Sequence, residues 1–316
     1  MPEPPIIIAT RGSALALAQA NLIFDQCRAA FPRLAFEIKI IKTTGDKLQT
    51  ASLAQAGQSL PKGLFTKELE VALVRRKADL AVHSLKDLPT ELPPGLTLGA
   101  ATKREDVRDV LINKNNANHD GPISQLSQGA RVATSSTRRQ AQLHAARPDL
   151  QLEEIRGNVP TRLEKLAEND ELAGTILAAA GLNRLNFSIN AEGMLQGDAV
   201  PEGIRATALD TGLMLPCVGQ AAIGIEIRED DGRISKIVER LNHFNTITAV
   251  TAERAFLAGM GGGCQSPVGA HAVVEDKQLR LCAVSFLNDS VQRAEQVGSV
   301  LEPAQLGAAV ADELRA

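Results

Sequence analysis

Cys264 lies in the run Gly259-Met260-Gly261-Gly262-Gly263-Cys264-Gln265-Ser266-Pro267-Val268-Gly269. Three consecutive glycines put this thiol on backbone with almost no steric cover, so a bulky group can approach it closely. A cysteine kept for packing has apolar neighbours instead. The sequence around Cys264 therefore suits either a reachable nucleophile or a plain turn that holds a thiol. A second feature is the set Arg131, Arg138, Arg139, Arg147, Arg156 and Arg162, with no lysine between the first and the last. Arginine grips carboxylate or phosphate through a planar fork. Arg138 and Arg139 fall in the first turn of an expected helix, whose positive N-terminal end disfavours cations unless an anion is present. The free N–H groups behind Ser135 and Ser136 add to an anion site, and Arg11 repeats the arrangement beside the first helix. On this expectation, a lysine at 138 or 139 spoils ligand handling while thermal stability holds or rises. A solvated basic face with incidental ion pairs is the plainer account of any one of these arginines. The third feature is His83-Ser84-Leu85-Lys86-Asp87-Leu88-Pro89, just past an apolar strand. Strand ends in open α/β sheets are where ligands bind. Asp87 there suits a developing cation, and Ser84 and Lys86 suit an anionic substrate. Alone, such a turn is ordinary surface, and His83 an ordinary hydrogen-bonded histidine near the core.

These residues need a scaffold, and composition bounds it. The chain has 316 residues, enough for two or three domains. It is 44% hydrophobic and 22% charged, the balance of a globular protein. Aromatics are 3%, without Trp or Tyr, which argues against a base-stacking surface for nucleic acid. A formal net charge of −3 supplies no general attraction for nucleic acid or anionic membrane. No apolar stretch has the length of a membrane helix. Met1-Pro2-Glu3-Pro4-Pro5 lacks the basic segment of a signal peptide. Cys27, Cys217, Cys264 and Cys282 show no CxxC spacing, so neither a zinc site nor a disulfide framework is expected. A reducing cytoplasm and a monomer are the expectation.

Ile6 to Ala9 reads as a buried strand, and Ser13 as the N-cap of a helix from Ala14 to about Ala30. Phe36 to Lys42 and Asp79 to His83 read as strands around a helix from Thr66 to Lys77. Strand–helix–strand order predicts a parallel sheet. The pattern restarts with a strand at Arg131 to Thr134, a cap at Ser135-Ser136 and a helix from Thr137 to Ala146. Asn113 to Gly121 reads as a loop, and Asn186 to Gly203 as a surface excursion. Helical periodicity resumes near Leu241 and gives way to alternating residues from Gln278 to Phe286. The expected architecture is α/β. Two lobes, 1–103 with 222–240 and 104–221, face a cleft, and a smaller α/β domain, 241–316, carries Cys264.

Several runs together resemble the porphobilinogen deaminase (hydroxymethylbilane synthase) family. They are Ala9-Thr10-Arg11-Gly12-Ser13-Ala14-Leu15-Ala16-Leu17, Lys62-Gly63-Leu64-Phe65-Thr66-Lys67-Glu68-Leu69-Glu70 and Val82-His83-Ser84-Leu85-Lys86-Asp87-Leu88-Pro89. Thr134-Ser135-Ser136-Thr137-Arg138-Arg139, Arg156-Gly157-Asn158-Val159-Pro160-Thr161-Arg162, Leu215-Pro216-Cys217-Val218-Gly219-Gln220 and Gly262-Gly263-Cys264-Gln265 follow in family order. The resemblance implies lobes like those of periplasmic binding proteins. It also implies an enzyme that joins four porphobilinogens head to tail into hydroxymethylbilane and releases ammonia at each step. Priming is by a dipyrromethane, thioether-linked to the cysteine that aligns with Cys264. Asp87 matches the family's catalytic aspartate. Lys86, Ser84, Thr134, Ser136, Arg138, Arg139, Arg156 and Gly157 match cofactor-binding positions. Arg11, Ser13, Arg162 and Arg184 match substrate-binding ones.

The chemistry agrees with the residue types. Each pyrrole carries an acetate and a propionate, so the growing chain is a polyanion that needs fixed cations. Loss of ammonia leaves a cationic azafulvene, which a fixed carboxylate stabilises and a thiolate traps. Two departures stand out: Gln55 where the family commonly has lysine, with Gln58-Ser59-Leu60-Pro61 lengthened, and a longer stretch from Asn186 to Gly203. Two rivals remain at this level. One is a non-catalytic anion-binding protein of the same shape, which needs no Cys264. The other is a cysteine hydrolase using His83, His119, His144, His243 or His271, which leaves the arginines unexplained.

Overall fold

The computed structural model describes residues 3–45, 65–114, 122–263, 265–287 and 290–315. Gln55, the segment 58–61 and Cys264 lie outside the described residues. The first stretch runs β1 (Ile6–Thr10), α1 (Ala14–Ala30), β2 (Phe36–Ile40), α2 (Lys67–Val74), β3 (Leu80–Ser84) and β4 (Leu96–Ala101). Next come β5 (Asp109–Lys114), β6 (Arg131–Ala133), α3 (Thr137–Ala146), β7 (Gln151–Glu153), α4 (Val159–Glu168), β8 (Leu172–Ala178) and α5 (Ala179–Arg184). They are followed by β9 (Ser188–Ile189), β10 (Leu195–Gln196), β11 (Ile204–Ala208), β12 (Ile223–Arg228) and α6 (Gly232–Glu239). The chain finishes with α7 (Phe244–Gly259), β13 (Val268–Glu275), β14 (Gln278–Ser285), β15 (Gln292–Ser299) and α8 (Pro303–Arg315).

The expected parallel sheets are mixed. One sheet has the order β2-β1-β3-β12-β4 and another the order β7-β6-β8-β5-β11. In each, three parallel strands are followed by an antiparallel inner strand and an outer strand paired to it. The two sheets correspond strand for strand. The antiparallel inner strands, β5 and β12, are the ones by which the chain crosses from one lobe to the other. Every residue of β12 is buried, as an inner strand covered on both faces requires. Asn113, expected in a loop, is instead a buried residue of β5, whose ladder to β11 and β8 absorbs its backbone. The excursion after Asn186 contains the β9–β10 hairpin, anchored by the buried Phe187 and Leu195 in the second lobe's core.

Caps mark the helix starts. Ser13 Oγ accepts the Ala16 N–H, Ser136 Oγ the Arg139 N–H, and Asn158 Oδ1 the Thr161 N–H. The third unit is an antiparallel β13–β14–β15 meander with α7 and α8 across it. Gly307 lets those helices touch, since a Cβ there would lie 2.1 Å from the Ala252 carbonyl oxygen.

One ion pair fastens this third unit to both crossovers. Glu253 on α7 is fully buried. Its Oε1 accepts from Arg104 Nη1 at 2.6 Å and from the Ala272 N–H at 2.8 Å. Its Oε2 accepts from Arg104 Nη2 at 3.0 Å and from the Gly219 N–H at 2.8 Å. Arg104 also donates from Nε to the Gln220 carbonyl at 2.9 Å. Arg104 belongs to the outward crossover, Gly219 and Gln220 to the returning one. Breaking a buried, satisfied pair from one side strands the other charge, at about 3–5 kcal/mol. Glu253→Gln should therefore lower the thermal midpoint by well over about 4 °C, measured by calorimetry. A midpoint equal to wild type would show that the pair does not fasten the domains.

Candidate active site

Asp87 ends a short 3-10 turn, Leu85–Asp87, that directly follows β3. The strand is buried to its last turn, so the polar residues after it emerge at its carboxyl end. Two cavities meet there, and Asp87 lines both. The larger, about 180 Å³, lies between all three units. Lys86 comes from the first lobe, Ser136, Arg138 and Arg139 from the second, and Leu257, Gly263 and Ser266 from the third. The smaller, about 60 Å³, belongs to the first lobe and is lined by Arg11, Ser13, Gln19, Phe65, His83 and Ser84 among others. The Arg11 guanidinium stacks on Phe65, 4.2 Å from the ring centroid.

The structure corrects the account of Arg138 and Arg139. Both sit in the first turn of α3 as expected, but the anion they need is internal. Arg138 donates from Nη2 to Asp109 Oδ2 at 2.8 Å and from Nη1 to the Leu215 carbonyl at 2.7 Å. Arg139 donates from Nη2 to Asp109 Oδ1 at 2.7 Å and from Nη1 to the Ile176 carbonyl at 2.8 Å. Gln220 Nε2 adds a third donor to Asp109 Oδ1 at 2.9 Å. Asp109, the first residue of β5, is fully buried. Burial alone would raise its pKa, but the two guanidiniums hold it far below the usual carboxylate range. What is left for a ligand is narrower than two open forks. Among the described residues, the buried Nε groups of Arg138 and Arg139 have no hydrogen-bond partner.

The remaining expected site residues divide into groups. Lys86 Nζ reaches Gln220 Oε1 at 3.5 Å on the wall of the larger cavity. Arg162 donates from Nε to the Gly157 carbonyl at 2.8 Å. Burial first, then the nearby Arg139, pulls Arg162 down to about 10, with Asp87 opposing. It therefore lies within electrostatic reach of Asp87 and stays charged at neutral pH. Arg184 donates to the Ala221 carbonyl at 2.6 Å, and burial pulls it down to about 10, against Glu105. Gly157 has φ +122, and a Cβ there would stand 2.9 Å from Thr161 Cγ2, so glycine is required. Ser84 exchanges hydrogen bonds with the Gln19 amide, at 2.9 and 3.1 Å. Ser13 caps α1 at the rim of the smaller cavity. Thr134 is buried, its Oγ1 accepting from the Ser136 N–H at 3.3 Å. Arg156 pairs with Glu154 at 3.2 Å, and neither it, Thr134, Gly157, Arg162 nor Arg184 lines the two cavities.

Cys264 lies outside the described residues, but its neighbours are anchored. Gly263 lines the larger cavity and donates its N–H to Ser266 Oγ at 3.1 Å. The Gln265 carbonyl accepts from Thr137 Oγ1 at 2.6 Å, which ties the loop to the start of α3. Asp109, Phe65, Gln19 and Gln220 are the site residues the motif analysis did not single out for a role. Phe65 and Gln220 each stood in a quoted run. Asp109 carried no local signal, because its partners are 29 and 30 residues ahead in the chain.

Comparison with known proteins follows the same division. The model of "Porphobilinogen deaminase, dipyromethane cofactor binding domain" matches residues 6–236, and that of "Porphobilinogen deaminase, C-terminal domain" matches 247–316. Porphobilinogen deaminase of Carboxydothermus hydrogenoformans is 44% identical over 98% of this chain and 93% of its own. That of Trichlorobacter lovleyi is 46% identical over 98% and 92%. That of Paracoccus denitrificans is 44% identical over 100% and 96%. Among solved structures, the BvgS VFT2 domain of Bordetella pertussis covers 76% of this chain and 87% of its own at 14% identity, with a TM-score of 0.42, too loose a likeness to argue from. Matched by both domain models in order, and by full-length relatives, the chain belongs to the porphobilinogen deaminase family and carries its dipyrromethane cofactor binding domain.

Proposed function

We propose that this chain condenses four porphobilinogens head to tail into hydroxymethylbilane, primed by a dipyrromethane thioether-linked to Cys264. The observation that carries the residue assignment is Asp87, among the described residues the one acidic side chain lining two cavities whose other polar walls are cationic or neutral. The larger cavity fits the cofactor's chemistry. Lys86 and the positive charge of Arg138 and Arg139 suit acetate and propionate, while Val218, Leu257 and Val268 suit the faces of pyrrole rings. When bound, the dipyrromethane supplies the nucleophilic pyrrole carbon to which substrate units are joined.

The chain's own groups do the rest. Arg11 and Ser13, on the smaller cavity, take the incoming porphobilinogen, with Arg162 and Arg184 as further cations. Ser84, Ser136 and Thr134 shape the walls, and Arg156 and Gly157 shape the approach of α4. The Asp87 carboxylate accepts from pyrrole N–H groups and stabilises the positive charge that develops on the substrate nitrogen as ammonia leaves. Asp109 keeps the two arginines from moving when that charge appears, so little reorganisation opposes the step. Family membership replaces both rivals, the non-catalytic binder and the cysteine hydrolase. His83 pairs with Glu226, and His243 caps α7, so neither is poised as a free base. We further infer a cytoplasmic monomer that binds no nucleic acid. The low aromatic content and net charge of −3 support this. Among the described residues, no helix is long and apolar enough to cross a membrane.

Peptide mapping of the holoprotein should find a mass of two substrate-derived pyrroles on Cys264. The same adduct on Cys27, Cys217 or Cys282 would overturn the assignment. Asp87→Asn should keep its fold and adduct but lose roughly 10²–10³ in turnover, with Asp87→Glu retaining more than Asn. Near-normal product formation by the Asn variant would remove Asp87 from the chemistry.

The Asp109 pairing reverses the stability expectation for the arginines. Arg138→Lys and Arg139→Lys lose a bidentate bridge between a buried carboxylate and a backbone carbonyl, so both should melt below wild type and load cofactor poorly. A lysine variant that melts no lower, while assembling the adduct normally, would mean that the bridge is replaceable.

A further inference from the structure

Beneath the smaller cavity lies a buried polar cluster that the reaction above does not use. His83 on β3 and Glu226 on β12 stand diagonally across the antiparallel register in which Gly224 faces His83 and Glu226 faces Ala81. His83 Nε2 and Glu226 Oε2 are 3.0 Å apart, with both side chains almost wholly enclosed, at 3% and 0% exposure. Helix α2 lies over this face and contributes Glu70, itself 9% exposed. Among the described residues, Glu70 Oε1 and Glu226 Oε1 have no hydrogen-bond partner. An unpaired buried carboxylate oxygen is costly unless a proton occupies the site.

Neighbouring charges do not supply compensation. Strands β1 and β4, packed on α2, contain no charged residue. On β12, Arg228 is committed to the Leu73 and Ala78 carbonyls and to Asp79 and Asp231. On α2 itself, Glu68 accepts from Thr44, and Lys67 neighbours Glu68 rather than Glu70. Two carboxyls and one imidazole are therefore enclosed together.

We propose that Glu70, Glu226 and His83 form a buried polar cluster whose function is to position the substrate-side cavity. The inference rests on the function proposed above and names positioning residues for it. The seat of α2 on the sheet depends on this cluster. Phe65 and Thr66, at the start of α2, line the smaller cavity, and Phe65 supports Arg11. From the other side, His83 is one residue from Ser84 and four from Asp87. Ionising Glu70 adds a buried charge beneath α2, loosens the helix's first turn, and so moves Phe65 and Arg11. Burial, then the charges of Glu226 and Glu68, raises Glu70 above the usual carboxylate range, while Thr66 and His83 oppose. A carboxyl raised on folding stabilises the protein at low pH, and that contribution is lost as pH rises through its folded pKa.

The test is thermal unfolding of wild type, Glu70→Gln and Glu226→Gln from about pH 4, at the unfolded carboxyl's own range, to about pH 9.5, alongside kcat and KM for porphobilinogen. Gln at 70 has the shape of the protonated acid but cannot ionise. Wild type should lose about 2–4 °C relative to Glu70→Gln as pH rises, and its KM should rise several-fold over the same interval while the variant's stays flat. Glu226→Gln should melt lower throughout and raise KM more than it lowers kcat, with Glu226→Asp recovering part of both. Parallel melting curves for wild type and Glu70→Gln, or a Glu226→Gln enzyme with wild-type KM, would overturn the proposal. The melting comparison needs no turnover. The covalent adduct on wild type separately reports whether the deaminase function holds.

Discussion

The Glu253–Arg104 pair is the interaction on which the arrangement of this molecule depends. A carboxylate with no solvent exposure is held by four donors from three parts of the chain. Desolvating both charges is unfavourable, and only complete satisfaction of both oxygens offsets it. The pair therefore favours one relative placement of the two crossovers and α7. That placement forms the larger cavity, because Lys86, Arg138 and Gly263 come from three different units. None of these units alone has the cavity.

A second enclosed carboxylate organises the electrostatics within that frame. Asp109 is the first residue of a crossover strand, and its partners are two arginines of α3 and Gln220 of the return crossover. Positive charge is thereby fixed at the cavity wall before any ligand arrives. Preorganised charge of this kind does not have to reorient as the reaction's own charge develops. The same contact has a structural consequence, since the crossovers and α3 share one hydrogen-bond network.

The correspondence of the two sheets follows from the way the chain passes between them. Each lobe supplies its three parallel strands and its outermost strand from a local stretch. Each receives its antiparallel inner strand as the chain arrives from the other lobe. Neither sheet is complete without the strand that the chain reaches through a crossover. Asp87 and Arg139 consequently reach one cavity from opposite lobes while each remains on a rigid element.

Local features were legible in the sequence wherever a local cause decides them. Ser13 and the apolar periodicity behind it mark α1 at Ala14–Ala30, and Ser136 marks α3 at Thr137–Ala146, because capping and amphipathic spacing act over a few residues. The family was legible too, since its runs are short motifs in fixed order, and the full-length relatives agree. The mixed character of the sheets was not, because β5 and β12 pair with strands far away in the chain and their own composition does not name those partners. The arginine doublet reads from sequence as an anion site. Tertiary structure alone supplied Asp109, at a separation where neither helix dipole nor periodicity carries information. The same holds for Glu70, Glu226 and His83: each looks ordinary in its own segment. Burial is a property of the assembled layers, and it turns three common side chains into an enclosed polar cluster.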